Sequence, residues 1–214
     1  KKKANAISRF TDIKSKVSSN YFIKNNGEII TLVPELYISW HAGVSFWKNY
    51  QSLNKNSIGI EISNPGHNSN YKNFSKKQIK SIFLLSKYLI KKYNIGTQNI
   101  LDHSDISPNR KKDPGEKCPW EYLVKNKIGF WHNRDNKILV KNRTLKISNL
   151  EQKLFFQNIL KIGYSEKNFK NSKLKKIQRT KIIIKALQRR FRQNLINGVA
   201  DQECLIISKN LTKK

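Results

Sequence analysis

Methionine is absent from all 214 residues, position 1 included. The chain is therefore expected to be an internal stretch of a longer protein, or a processed product. Cysteine is almost absent too. Cys118 and Cys204 lie far apart with no Cys-x-x-Cys spacing, so neither a disulfide nor a redox compartment can be read from them. Cys118, just before Pro119-Trp120, reads as a small buried residue. No apolar run approaches the length of a membrane span, and no signal peptide stands at the start. Acidic residues are scarce, 14 against 43 lysines and arginines, giving a net charge of +29. That excess invites a nucleic-acid partner. Its distribution argues otherwise: 27 basic against 10 acidic residues in 1–149, and 16 against 4 in 150–214. A charge spread along the whole chain is a compositional bias, with an anionic polymer such as cell wall as the next reading. No specific nucleic-acid partner is expected.

What is present is enough to fold. Hydrophobic residues make up 37% of the chain, sufficient for a core. Residues 18–33 read as a β-hairpin turning at Asn25-Asn26-Gly27. Ser57 to Ile62 reads as a short, mostly apolar strand with Glu61 as its odd member. Ser75-Lys76-Lys77-Gln78 opens a helix as a capping box, and Ile79, Ile82, Phe83, Leu85, Leu89 and Ile90 give it an apolar face that Gly96 closes. Asn99 to Asp102 reads as a strand leading into His103. Strands alternating with helix predict an α/β unit over residues 1–132. A polar, irregular stretch, 133–147, reads as a linker. Beyond it, 148–214 should form three helices: one from the Ser148-Asn149-Leu150-Glu151 capping box to Gly163, one over about 174–194, and a last one capped by Asp201.

The chemistry gathers around His103 and Asp113, ten residues apart in a loop stiffened by Pro108, Pro114 and Gly115. An imidazole and a carboxylate are ligands that zinc accepts, and a hydrolytic zinc site takes three protein ligands and a water. Each residue alone has a plainer reading: a histidine after a strand is usually structural, and Asp-Pro-Gly is a common turn. Glu61, flanked by isoleucines, is costly to bury unless paired. Desolvation would raise its pKa and suit a general base, while a salt bridge to Arg110 or a lysine is the alternative. Lys111 could stabilise an oxyanion, or be one more surface lysine. Trp40, His41 and Arg110 are taken as substrate-facing, with His41 open to either a ligand or a contact role.

These stretches resemble the zinc-dependent N-acetylmuramoyl-L-alanine amidases of the AmpD/AmiD type, which share a fold with phage T7 lysozyme and the peptidoglycan recognition proteins. The likeness is carried by Val17-Ser-Ser-Asn-Tyr-Phe-Ile23, Leu32-Val-Pro-Glu35, Trp40-His-Ala-Gly-Val-Ser45, Leu53 through Glu61, and His103 through Gly115 with Pro119-Trp120. Together they cover about residues 10–131. Leu160-Lys-Ile-Gly-Tyr164, Ala186 through Arg192 and Asn197 through Asp201 resemble the helical peptidoglycan-binding unit attached to AmiD-type members.

The resemblance implies an α/β fold with a mixed central β-sheet flanked by helices, and cleavage of the amide between the lactyl group of N-acetylmuramic acid and L-alanine. It implies Zn2+ held by His103 and Asp113, Glu61 activating the zinc-bound water, and Lys111 supporting the transition state. It also implies a departure. The family's first zinc ligand is a histidine ending the first strand, which falls at or before Lys1, and the family often has histidine where this chain has Asn20. The first strand and one ligand are therefore expected to be missing. A non-catalytic cell-wall binder, or an inactive remnant, is the alternative. Peptidoglycan or a muropeptide is the expected partner, the chain is expected to be monomeric, and the cell envelope is the expected location, with the cytoplasm as the alternative.

Overall fold

The computed structural model describes residues 6–213. A short helix, α1 (Ala6–Thr11), precedes a three-stranded sheet of β1 (Tyr21–Ile23), β2 (Ile29–Thr31) and β5 (Ile60–Ile62). The order is β2-β1-β5, with β1 antiparallel to β2 and parallel to β5, so the sheet is mixed as expected. All three residues of β1 are buried, which suits the central strand. The hairpin turn needs Gly27 at φ +85°: a side chain there would strike the Lys77 backbone of the neighbouring helix. Two shorter strands, β3 (Phe46–Trp47) and β4 (Tyr50–Gln51), form a separate ribbon.

Helix α2 (Lys76–Tyr93) begins at the expected capping box, with Ser75 accepting from the Gln78 amide and the Gln78 side chain returning to Ser75. Ile82, Leu85 and Leu89 recur on its buried face. It stops one turn before Gly96, because Asn94 takes the left-handed conformation and closes the last turn onto the Ile90 carbonyl.

The strand expected at 99–102 is not formed. Thr97–Asn99 is a single 3-10 turn, and Ile100, although extended, has no strand neighbour. The reason is spatial. A cavity of about 890 Å³ has both Ile60–Ile62 of β5 and Ile100–Leu101 in its wall, so the two segments face the same space without pairing. Phe74, Ile82 and Leu123 also line it. Among the described residues β5 is thus an edge strand of the sheet, with a large and mainly apolar space in its surroundings. Native cores are otherwise close-packed with few voids larger than a water.

Two short helices follow, α3 (His103–Ile106) and α4 (Trp120–Lys125). Residues 136–141, inside the stretch expected to be irregular, form helix α5 (Asn136–Lys141) with Leu139 buried. The last three helices are α6 (Asn149–Ile162), α7 (Lys176–Phe191) and α8 (Gln202–Leu211). Ser148 caps α6 through the predicted capping box, and Asp201 caps α8 by accepting from the Cys204 amide at 3.0 Å. Both cysteines are free and buried.

The helical unit and the α/β unit share a core. Trp47, Leu53 and Ile106 pack in one cluster with Phe155, Ile159 and Leu187. The Trp47 ring meets Tyr164 edge-on at 5.1 Å, and Gly163 leaves room for it that any side chain would fill. Buried ion pairs add specificity. Arg190 pairs with Asp105, both at 0% exposure, and Arg192 pairs with Asp201 and Glu203. Such pairs add little net stability, but removing one partner typically costs roughly 3–5 kcal/mol. No helix among the described residues is long and apolar enough to cross a membrane.

Glu35, after β2, is tied to α2. It accepts from Lys92, at 2.6 Å, and from the hydroxyls of Tyr21 and Tyr93. Burial pushes its pKa up, but these three donors outweigh it and hold the carboxyl down at about 2. A depressed folded-state pKa gives stability that is present above the unfolded value and lost as pH falls toward the folded one. Glu35→Gln should therefore lower the urea midpoint at pH 7. Its difference from wild type should shrink steadily between about pH 5 and pH 2. A pH-independent difference would show that the carboxylate charge is not what matters.

Candidate active site

His103 is the first residue of α3, and Asp102 caps that turn. The Asp102 side chain accepts from the Asp105 amide at 2.7 Å and the Ser104 hydroxyl at 2.8 Å. The cap fixes the start of the turn and hence the direction in which the imidazole leaves it. His103 Nε2 donates to the His41 carbonyl at 2.9 Å, and Nδ1 meets Asp113 Oδ2 directly. Burial pulls the His103 pKa down, but the Asp113 carboxylate overrides it and the net shift is upward. Burial pushes Asp113 up, while His103 and Lys111 together bring it to about 2. Lys111 Nζ lies 3.9 Å from Asp113 Oδ1.

This pairing has the chemistry of a metal site's donor set. The His41 carbonyl occupies one ring nitrogen and leaves the other aimed at a carboxylate, as second-shell partners do for metal-bound histidines. Zinc held by His103 and Asp113 would need both groups deprotonated and would displace the proton that they share. Two donors of this kind fit zinc. The third that a hydrolytic site needs is not there: among the described residues no three His, Cys, Asp or Glu side chains are grouped to hold a metal.

Glu61 sits mid-strand in β5, opposite Phe22, and lines the same cavity as His103 and Asp113. Its side chain is enclosed by protein yet open to that cavity, which is why it is only half-buried by exposed area. Burial raises its pKa, Asp113 adds to the rise, and the charges of His103 and Lys111 oppose it. The alternative salt bridge to Arg110 is not formed. Arg110 Nη2 instead donates to the carbonyls of Ala42, at 2.9 Å, and Val44, at 2.7 Å, bracing the 42–44 loop.

Trp40 is 48% exposed, as a stacking platform must be, whereas Trp47 belongs to the shared core. His41 contributes its backbone carbonyl to His103. Its ring is kept neutral chiefly by burial and secondarily by the charge of His103, with a pKa near 4. It forms no donor group with His103 and Asp113. Asn20, where the resemblance implies a histidine, is a buried tie: its Oδ1 accepts from Ser39 at 2.7 Å and the Gly59 amide at 2.9 Å.

Two positioning residues, Tyr71 and Asp105, lie outside the expected site. Tyr71 donates to the Pro114 carbonyl at 2.6 Å and accepts from the Lys117 amide at 2.9 Å, clamping the loop that carries Asp113. No sequence signal marks it. Asp105, by contrast, could have been found, since Asp102-His-Ser-Asp105 has capping-box spacing.

Comparison with known proteins places the whole chain. Residues 1–116 match the N-acetylmuramoyl-L-alanine amidase family. The chain belongs to that family. It is 32% identical to Escherichia coli AmiD, an N-acetylmuramoyl-L-alanine amidase, over 98% of this chain and 78% of that protein. It is 37% identical to the 1,6-anhydro-N-acetylmuramyl-L-alanine amidase AmpD of Haemophilus influenzae, over 50% of this chain and 56% of that one. The structure of E. coli AmiD in complex with anhydro-N-acetylmuramic acid-L-Ala-D-gamma-Glu-L-Lys superposes with a TM-score of 0.81 at 31% identity, covering 97% of this chain and 82% of that one. Pseudomonas aeruginosa AmpDH3 in complex with anhydromuramic pentapeptide gives the same TM-score at 26% identity, covering 97% and 85%. The likeness to AmpD stops at half of this amidase, whereas AmiD and AmpDH3 match both units.

Gly59, just before β5, touches the His41 ring, and a Cβ there would overlap it. Gly59→Ala should push His41, and with it the carbonyl that orients His103. It should destabilise the fold by about 1–3 kcal/mol in thermal denaturation. An unchanged midpoint would show that the His41 loop gives way freely.

Proposed function

We propose that this chain hydrolyses the amide between the lactyl group of N-acetylmuramic acid and L-alanine in muropeptides, with zinc held by His103 and Asp113. The observation that carries this is one wall shared by three groups: an oriented histidine, a carboxylate paired to it, and a buried glutamate with a raised pKa. When bound, zinc would polarise the amide carbonyl and lower the pKa of its water. The remaining roles fall to the protein's own side chains. Glu61, whose pKa burial raises, is suited to take a proton from water and return it to the leaving amine. Lys111 can stabilise the oxyanion from beside Asp113. Trp40 offers an exposed ring to a sugar face.

The anhydromuropeptides bound to AmiD and AmpDH3 support a soluble wall fragment as substrate. The helical unit, with its likeness to a peptidoglycan-binding domain, favours a role at the wall, and hence the envelope. A third donor is still needed, and the edge strand β5, bordering the apolar cavity, is where a further strand could pair and supply one. The two-donor count favours a second reading, a muropeptide binder without turnover.

Metal analysis and product detection with anhydro-N-acetylmuramyl tripeptide separate the two. The amidase reading expects one zinc per chain and release of the free peptide, with imidazole in solution raising turnover if a nitrogen donor is what is lacking. Glu61→Gln should lower the rate by roughly 10²–10⁴-fold while leaving ligand binding intact. Tight muropeptide binding without zinc or release would establish the binder instead. An unchanged Glu61→Gln rate would remove Glu61 from the mechanism.

A further inference from the structure

Two side chains of the helical unit end within two residues of His103. Arg190, on α7, pairs with Asp105 Oδ2, and the Tyr164 hydroxyl, just after α6, donates to Asp105 Oδ1 at 2.6 Å. Asp105 is wholly buried. The second terminal nitrogen of Arg190 donates to the Ile100 carbonyl at 2.8 Å, and its guanidinium plane lies over Trp120, 4.0 Å from the ring centre. One arginine therefore grips residues 100 and 105, on both sides of His103.

The turn it grips cannot hold itself. Helix α3 has four residues, far below the length at which a helix is stable alone. Its capping box is closed by Asp105, whose carboxylate also accepts from the Asp102 amide. The same carboxylate thus completes the turn that carries His103 and is fastened from outside by Tyr164 and Arg190. The Ser104 amide, between them, donates to the Asp113 carbonyl at 3.1 Å, so the turn is also tied to the second donor. A shift of Asp105 moves both halves of the pair.

We infer that Tyr164 and Arg190 are positioning residues for the His103–Asp113 pair, so that the helical unit, beyond any wall-binding role, sets the geometry of the candidate metal site. This rests on reading His103 and Asp113 as the donor pair. Without its helical partner the α/β unit would keep only the Asp102 amide on this carboxylate, which links the order of the site to the presence of the helices.

Amide hydrogen exchange and imidazole NMR of the 214-residue chain test this. Tyr164→Phe removes one hydrogen bond to the carboxylate and keeps the ring. It should speed exchange at Ser104 to Ser107 by about tenfold while leaving the amides of α2 unchanged. The Nε2 proton of His103, held against the His41 carbonyl in wild type, should broaden in the variant. Phe155→Leu, which loosens the helical core without touching Asp105, is the control. Equal acceleration at Ser104 to Ser107 in that control would reduce the effect to general loosening and overturn the inference. So would wild-type exchange and an unchanged His103 signal in Tyr164→Phe. Zinc added to the wild-type chain tests the donor reading separately. An unmoved His103 signal would sink the metal-site role, leaving the exchange data to judge the mechanical coupling alone.

Discussion

The carboxylate of Asp105 is the constraint on which the two halves of this protein depend. It is fully buried, and a buried charge survives only when its lone pairs are filled. They are filled from three directions: by the Asp102 amide within its own turn, by Tyr164, and by Arg190. Because two of those donors come from the helical unit, the α/β unit is not electrostatically complete without it. The shared apolar cluster around Trp47, Phe155 and Leu187 follows the same line of contact. Apolar burial supplies the bulk of the attraction between the units, and the ion pair fixes their register.

The site follows from the same economy of short elements. His103 and Asp113 stand on a four-residue helix and a loop, neither rigid by itself. They are held by contacts from elsewhere: the His41 carbonyl, Tyr71 on the Pro114 carbonyl, and Arg110 bracing the 42–44 loop. Glu61 has the opposite support, a hydrogen-bonded strand against fully buried β1. A glutamate on a rigid strand thus faces a His103–Asp113 pair that is braced from outside. The cavity among them is large and mostly apolar, and burial at its wall raises the pKa of Glu61.

Much of this was legible in the residues. The capping boxes at Ser75 and Ser148 marked two helix starts, because that local exchange of hydrogen bonds needs only four residues. The hairpin showed in its turn chemistry for the same reason. The expected strand at 99–102 failed because extended, apolar residues become a strand only when another strand lies alongside, and here a cavity does. The polar stretch at 133–147 hid a helix because α5 is short and buries little beyond Leu139. Arg110 was weighed as a partner for Glu61. It went to two backbone carbonyls instead, a contact between the 42–44 and 110 loops that no local pattern records.

By itself, the sequence determined the family, the mixed sheet followed by three helices, and the residue types at the candidate site, since His103, Asp113, Glu61 and Lys111 lie in stretches whose spacing is local. The tertiary structure alone decided which of them share one cavity, which nitrogen of His103 faces Asp113, and that the helical unit reaches the histidine turn through Asp105. The physical reason is range. Caps and turns are written within a few neighbouring residues, whereas Arg190 meets Asp105 across 85 positions of chain, through a desolvated charge that only the folded core brings together.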